Sequence, residues 1–177
     1  MKTIALFGGS FDPPHVGHVA IVDALREITY IDKVVIMPTY LNPFKSHSHA
    51  SSEQRFKWLK KIFKHQNDVY IDDFEIKQNK PIPTIQSVNH LLKDYEKIYV
   101  VIGADNLASL NKWSNYEELK SKVTFIVASR DDIKISDNFI TLHIDEKVSS
   151  THLRKDVELS KISQICAIEI QKFYKEL

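Results

Sequence analysis

Six short apolar runs, separated by stretches with helical spacing, restrict this chain more than any other feature. They are Thr3–Phe7, Lys33–Met37, Val69–Ile76, Ile98–Ile102, Val123–Ala128 and a weaker Phe139–His143. Several are nearly continuous in Ile, Val, Phe and Tyr, as parallel strands covered on both faces are. Helical segments are expected over Val16–Thr29, Ser52–His65, Thr84–Asp94 and Asn115–Ser121. Ser51-Ser52-Glu53-Gln54 offers the second of these a capping box, and its Phe56, Leu59, Ile62 and Phe63 make one apolar stripe. After Val148 only helix is expected, over Ser149–Val157 and Ser160–Tyr174, with Ile162, Ile165, Cys166, Ile170 and Phe173 placed to dock on the sheet edge. The alternation predicts an α/β fold: a single doubly wound, mostly parallel, Rossmann-like sheet with helices on both faces and a helical C-terminal segment over about residues 149–177.

No linker, repeat or low-complexity tract divides the 177 residues, so one domain over 1–177 is expected, long enough to bury a core without staples. Lys and Arg total 24 against 23 for Asp and Glu, which leaves no basic field to recommend a nucleic acid as partner. The lone Cys166 excludes an internal disulfide and a CxxC metal knuckle. Met1–Phe7 is too short for a signal peptide, and no apolar run approaches the roughly 20 residues that cross a bilayer. These features predict a cytoplasmic protein with no membrane partner; a homo-oligomer is compatible with them.

The first apolar run leads into GGSFDPPHVGH, residues 8–18, where a doubly wound sheet turns from strand to helix and holds its ligands. Gly8 and Gly9 let the backbone approach a ligand, Pro13 and Pro14 stiffen the loop, and the helix that follows offers free N–H groups to phosphate. A Walker A loop would need GK[ST] and the dinucleotide fingerprint GxGxxG; the stretch supplies neither. His15 and His18 could belong to a metal site with His47 and His49, but no carboxylate or cysteine stands at a usual spacing, so no metal ligand is assigned. Backbone-satisfied turn histidines are a second reading. Imidazoles donating to phosphoryl oxygens explain more of the stretch. A late segment, VSSTHLR at residues 148–154, starts a helix with Ser149, Ser150 and Thr151 and places the forked cation of Arg154 one turn in, suited to a polyphosphate. An ordinary N-cap with a solvent-facing arginine is its rival.

Together the two segments resemble the paired signatures, HxGH and ISSTxIR, of the nucleotidyltransferase superfamily, whose members transfer a nucleotidyl group from a nucleoside triphosphate and release pyrophosphate. The fuller resemblance, over most of the chain, is to the bacterial nicotinate-nucleotide adenylyltransferase family. MPTYLNPFK at 37–45 is similar to that family's loop after the second strand, PIPT at 81–84 to its segment before the third helix, and IGAD at 102–105 with LNKW at 110–113 to its GxD…W block. Two departures stand out: Phe44 precedes Lys45 where the family often has His, and Leu-Asn-Lys precedes Trp113 where some members have an apolar residue, Pro and Thr.

The resemblance implies transfer of AMP from ATP to nicotinate mononucleotide in NAD biosynthesis, with Mg²⁺ carried by ATP. It implies His18 and His15 as the catalytic pair, with His18 donating to the α-phosphoryl oxygen. ATP and its phosphates would be held by Gly8, Gly9, Ser10, Phe11, His15, His18, Lys45, Gly103, Asp105, Ser150, Thr151 and Arg154. The acceptor would be held by Ser10, Phe11, Thr84 and Trp113. Rival readings make Lys45 a solvated lysine, Trp113 a packing residue, and Asp105 and Thr84 helix N-caps. Asp12 is expected to order its loop through an Asx turn, Arg130 to stand near phosphate or adenine, and Ser46–Ala50 to be a solvated loop or lid. Alternatives are the same transfer to nicotinamide mononucleotide, phosphopantetheine or glycerol phosphate, and a nucleotide sensor without turnover.

Overall fold

The structure, a computed structural model, describes residues 2–130 and 133–177. In chain order it runs β1 (Thr3–Gly9), α1 (Val16–Arg26), β2 (Lys33–Pro38), α2 (Ser52–Ile62), β3 (Val69–Ile71), α3 (Phe74–Lys77), α4 (Thr84–Leu91), β4 (Lys97–Gly103), a 3₁₀ segment (Ala104–Lys112), α5 (Tyr116–Lys122), β5 (Thr124–Ala128), β6 (Ile140–Leu142), α6 (Ser150–Lys155), a 3₁₀ turn (Leu159–Lys161) and α7 (Ala167–Lys175). The strands form one sheet in the order β3-β2-β1-β4-β5-β6, every pair parallel. This is the expected doubly wound fold.

The strand period of two sorts the apolar residues into two cores. Ala5, Phe7, Val34, Ile36, Tyr99, Val101 and Ile126 face one layer, packed with Val22 and Leu25 of α1, Trp58 and Leu59 of α2, Leu153 of α6 and Ile170 of α7. Ile4, Leu6, Val35, Met37, Ile98, Val100, Ile102 and Val127 face the other, packed with Ile85, Val88 and Leu91 of α4 and Leu119 of α5. Burial on both faces is why β1, β2 and β4 read as unbroken apolar runs. Each fully buried aliphatic side chain contributes roughly 1.5–3 kcal/mol, so the central strands supply much of the folding free energy.

Three expectations are corrected. The run 69–76 is strand only to Ile71: the Asp72 carboxylate accepts the Phe74 N–H at 2.8 Å and turns the chain into α3. The helix expected over Ser160–Tyr174 is a 3₁₀ turn, a bend with a hydrogen-bonded turn over 163–166, and then α7, and Ile165 is left 59% exposed rather than docked. α7 is held against α2: Phe173 and Tyr174 pack on Trp58, and Glu169 accepts from Trp58 Nε1 at 3.2 Å and pairs with Lys61 at 2.6 Å. Among the described residues no helix is long and apolar enough to cross a membrane.

Candidate active site

The sheet order places β1 beside β4, the point where the winding reverses and where doubly wound sheets bind ligands. Pairing between these two strands ends at Phe7 and Val101. β1 nevertheless continues to Gly9 alongside β2, and β4 continues to Gly103 alongside β5. The central strands therefore part at their carboxyl ends, and a cleft of about 800 Å³ opens there. Gly8 and Gly9 extend the first strand two residues beyond the expected Thr3–Phe7. The cleft is lined by all fourteen residues assigned to the site from sequence.

His15 caps α1 and His18 is its third residue. His15 Nδ1 accepts the Gly17 N–H at 3.1 Å, and His18 Nδ1 accepts the His15 N–H at 3.1 Å. The spacing is a capping box made of two imidazoles. With Nδ1 an acceptor in both rings, each ring proton sits on Nε2. The rings stack with centroids 3.7 Å apart. Burial, helped by the charge of Arg130, lowers the His15 pKa to about 4. Burial, followed by His15 and Arg130, holds His18 well below the usual imidazole value. Both rings are thus neutral Nε2–H donors near pH 7. The helix start was expected to offer its own N–H groups to phosphate; two of them are capped by the imidazoles, which carry the donor role into the cleft instead.

Gly17 makes this arrangement possible. A methyl added there would lie 2.9 Å from His15 Cε1 and 2.9 Å from Val148 Cγ1. Phe11, at a φ of 50°, buries its ring edge-on to His18 at 4.8 Å and to Phe7 at 5.3 Å. Its side chain supports the imidazole, which leaves its backbone for any ligand contact.

The two motif segments meet directly. Ser150 Oγ donates to the Pro13 carbonyl at 2.9 Å, and Arg154 Nη1 donates to the Asp12 carbonyl at 2.7 Å. Arg154 Nη2 also donates to Thr151 Oγ1 at 3.3 Å, and Ser149 Oγ accepts the His152 N–H at 3.2 Å. The hydroxyls of Ser150 and Thr151, expected to face an anion, are engaged in holding the segments together.

Asp12 forms no Asx turn. Its carboxylate accepts the N–H groups of His49 at 2.8 Å and Ala50 at 3.0 Å, and the Tyr174 hydroxyl donates to it from α7. Burial pushes this carboxyl up, but the bonds from Tyr174, His49 and Ala50, with the charge of Arg154, outweigh it and hold the pKa below the ordinary value. The stretch 46–50 is therefore anchored at its end, with Ala50 wholly buried. His49 Nδ1 stands 3.5 Å from the Asp12 carboxylate. Arg55, fully buried in α2, donates to the carbonyls of Ala50, Ser10, Thr39 and Tyr40 at 2.6–3.1 Å. One guanidinium thereby joins the loops after β1 and β2. Sequence reasoning assigned nothing to Arg55 or Tyr174.

Across the cleft, Thr84 is the first residue of α4, not its cap; Pro83 holds the cap position and no side chain caps the helix. Asp105 is not a cap either, since it lies inside the 3₁₀ segment and pairs with Arg130 at 3.2 Å. Lys45 follows a turn in which Asn42 accepts the N–H groups of Phe44 and Lys45, both at 2.9 Å. Thr39 Oγ1 and Trp113 Nε1 line the cleft as buried polar atoms without a partner among the described residues. Such orphans mark places where a ligand completes the hydrogen bonding. Glu75, unassigned from sequence, lines the same cleft as a buried carboxyl that accepts from Ser87 Oγ at 2.6 Å. Burial raises its pKa to about 7, against the Ser87 bond and with the nearby Asp72 charge.

Comparison with known proteins agrees with this architecture. The cytidylyltransferase-like family matches residues 6–156. A protein of Sulfurimonas denitrificans named "Probable nicotinate-nucleotide adenylyltransferase" is 59% identical over 99% of this chain and 97% of its own. One of the same name from Campylobacter jejuni is 46% identical over 98% and 97%. Among solved structures, the nicotinic acid mononucleotide adenylyltransferase of Plasmodium falciparum complexed with NaAD superposes with a TM-score of 0.77, covering 99% of this chain and 96% of that one, at 19% identity. That last likeness speaks for the fold; the kinship in sequence, running nearly end to end, is what shows that the chain belongs to the cytidylyltransferase-like nucleotidyltransferases and, within them, to the nicotinate-nucleotide adenylyltransferase family.

Proposed function

We propose that the protein transfers AMP from ATP to nicotinate mononucleotide, giving deamido-NAD and pyrophosphate as a step of NAD biosynthesis. The observation that supports this most is the meeting of the two motif segments across one cleft, with Ser150 and Arg154 bound to the carbonyls of Pro13 and Asp12. In this reading a phosphate oxygen of the acceptor attacks the α-phosphorus in line, a new P–O bond forms, and the bond to the β-phosphate oxygen breaks. The nucleophile is already an anion, so positioning and charge stabilisation carry the rate.

His18 Nε2–H donates to the α-phosphoryl oxygen as charge gathers there; with Nδ1 accepting the His15 N–H, the neutral ring keeps its one proton on Nε2 for this bond. His15, Lys45 and Arg154 hold the triphosphate, with the backbone of Gly8, Gly9, Ser10 and Phe11 beneath it. For Arg154 this means exchanging its carbonyl contact at Asp12 for phosphate oxygens, a stronger charge-assisted bond. Gly103 and Asp105 face the nucleoside, Thr84 presents its N–H to the pyridine substituent and Trp113 stacks on the ring. Ser150 and Thr151 serve the site by spending their hydroxyls on Pro13 and Arg154 rather than on phosphate.

Mg²⁺ is part of the substrate in this proposal, carried by phosphate oxygens with its waters. No group of three or more His, Cys, Asp or Glu among the described residues is arranged to hold a metal. The reading treats the chain as one nucleotidyltransferase domain with water-soluble substrates, in the cytoplasm.

The test is pyrophosphate release from ATP and Mg²⁺ with nicotinate mononucleotide, nicotinamide mononucleotide and phosphopantetheine compared side by side. Fastest release with nicotinate mononucleotide is the expected result. Turnover with phosphopantetheine alone, or ATP binding without turnover, would overturn it.

A further inference from the structure

Glu75 is a carboxyl group where an anionic substrate is expected, and the cleft gives it a role. It is 7% exposed, in a wall that also carries Ile82, Pro83 and Thr84. Ser87, one turn into α4, donates to its Oε1 at 2.6 Å, which ties the group to the helix whose first residue is Thr84. With Oε1 held as an acceptor, a proton on this carboxyl belongs on Oε2.

Among the described residues no cation forms an ion pair with it. Asp72, in the turn before α3, adds negative charge. Asp73 and Lys77 of α3 pair with each other at 2.9 Å. His90 of α4 stacks on Phe74 with centroids 3.9 Å apart. β2 presents Val35 and Met37 to this side, and Tyr95 packs in the same layer. Lys45, Asp105 and Arg130 line the same cleft.

Two carboxylates cannot both stay ionised in one desolvated pocket, whereas a carboxyl and a carboxylate share a proton in a strong hydrogen bond. A carboxamide, by contrast, has N–H groups to offer an ionised Glu75. Resting on the functional reading above, we propose that Glu75 is the acceptor-specificity residue: protonated, it donates Oε2–H to the carboxylate of a pyridine carboxylate nucleotide, and ionised, it rejects that substrate while tolerating the carboxamide. One proton accompanies the carboxylate substrate into the site. The raised pKa agrees, since the group changes charge near neutrality.

The experiment is the ratio of kcat/KM for nicotinate mononucleotide over nicotinamide mononucleotide, from about pH 6 to pH 8.5, in the wild type and in Glu75→Gln. Ionisation of the acceptor phosphate, of ATP and of the two histidines affects both acceptors and cancels in the ratio. In the wild type the ratio falls about tenfold per pH unit above neutrality, carried by KM with kcat little changed. In Glu75→Gln the ratio is flat, because the amide donates at every pH. Near pH 8.5 this variant therefore takes nicotinate mononucleotide about thirtyfold better than the wild type, a gain that loss of a merely structural contact would not produce. A ratio independent of pH in the wild type overturns the proposal, even if the variant does not fold. So does a slope that survives in Glu75→Gln. Turnover of nicotinate mononucleotide with a flat ratio removes this inference alone, whereas no turnover of it at any pH removes the functional reading and this inference together.

Discussion

His15 and His18 lie face to face, ring centroids 3.7 Å apart, and each turns its Nδ1 to a backbone N–H at the start of one helix. The pair is therefore fixed in rotation and in tautomer before any nucleotide arrives. His18→Ala removes the donor proposed for the α-phosphoryl oxygen and also the capping bond to the His15 N–H. It should lower kcat by about 10²–10³ with a smaller change in KM, as loss of an oxyanion donor does. Steady-state pyrophosphate release checks this, with circular dichroism to show that the fold survives. Near-normal turnover would count against the role.

Gly17 is where ring, helix start and second motif crowd together. Gly17→Ala sets a methyl 2.9 Å from both His15 Cε1 and Val148 Cγ1, so the stacked imidazole or the Val148 side chain must shift. Overpacking of this kind typically costs about 1–3 kcal/mol. Urea denaturation should show that loss, and kcat should fall although no ligand-facing group has been removed.

Tyr174 reaches from the last helix to the buried Asp12 carboxylate. Tyr174→Phe keeps the ring on Trp58 and removes only the donor. Leaving a buried carboxylate short of a partner should cost about 1–3 kcal/mol at neutral pH. Asp12 titrates below its ordinary value in the fold, so its contribution is present above the unfolded carboxylate pKa and lost as pH falls through the folded one. The gap between wild type and Tyr174→Phe in denaturant titrations should therefore narrow on acidification below about pH 4.

Stability should also depend on pH through the histidines, in a higher window. His15 titrates at about 4 when folded and near 6.5 when unfolded, and His18 is lowered in the same direction. The unfolded chain binds more protons between these values, so stability is full above 6.5 and falls as pH drops toward 4, by about 1.4 kcal/mol per pH unit for each proton. Glu75 acts in the opposite sense: its folded pKa is raised from 4.5 to about 7, so its contribution is full below 4.5 and lost as pH rises through 7. Glu75→Gln should steepen the fall in stability between about pH 6.5 and 4.5, and His15→Gln should flatten it. Thermal melts across that range read both slopes.

The primary structure carried the winding of the sheet because strands buried on both faces must be apolar throughout, and helices must show their own period. It carried the two motif segments for a related reason. A glycine between two histidines, or serines ahead of an arginine, are local patterns whose chemistry depends on near neighbours. The third strand was read too long because Asp72 ends it through a bond to Phe74, and an apolar run continues across that turn. The C-terminal helix was read too early because Ile162 and Cys166 are buried from irregular backbone, which periodicity alone cannot distinguish from a helical face.

What the linear chain could not display is the set of partners joined across long separations. Arg55 sits among lysines in a helix of ordinary amphipathic pattern, yet it is the one turned wholly inward, onto four carbonyls of two loops. Tyr174 and Asp12 stand near opposite ends of the chain, as do Arg154 and the carbonyl it grips. Side-chain identity and local period were enough to say which elements form and which groups could bind a nucleotide. Only packing decided which charges lost their water, because desolvation and hydrogen-bond pairing are properties of a neighbourhood rather than of a residue.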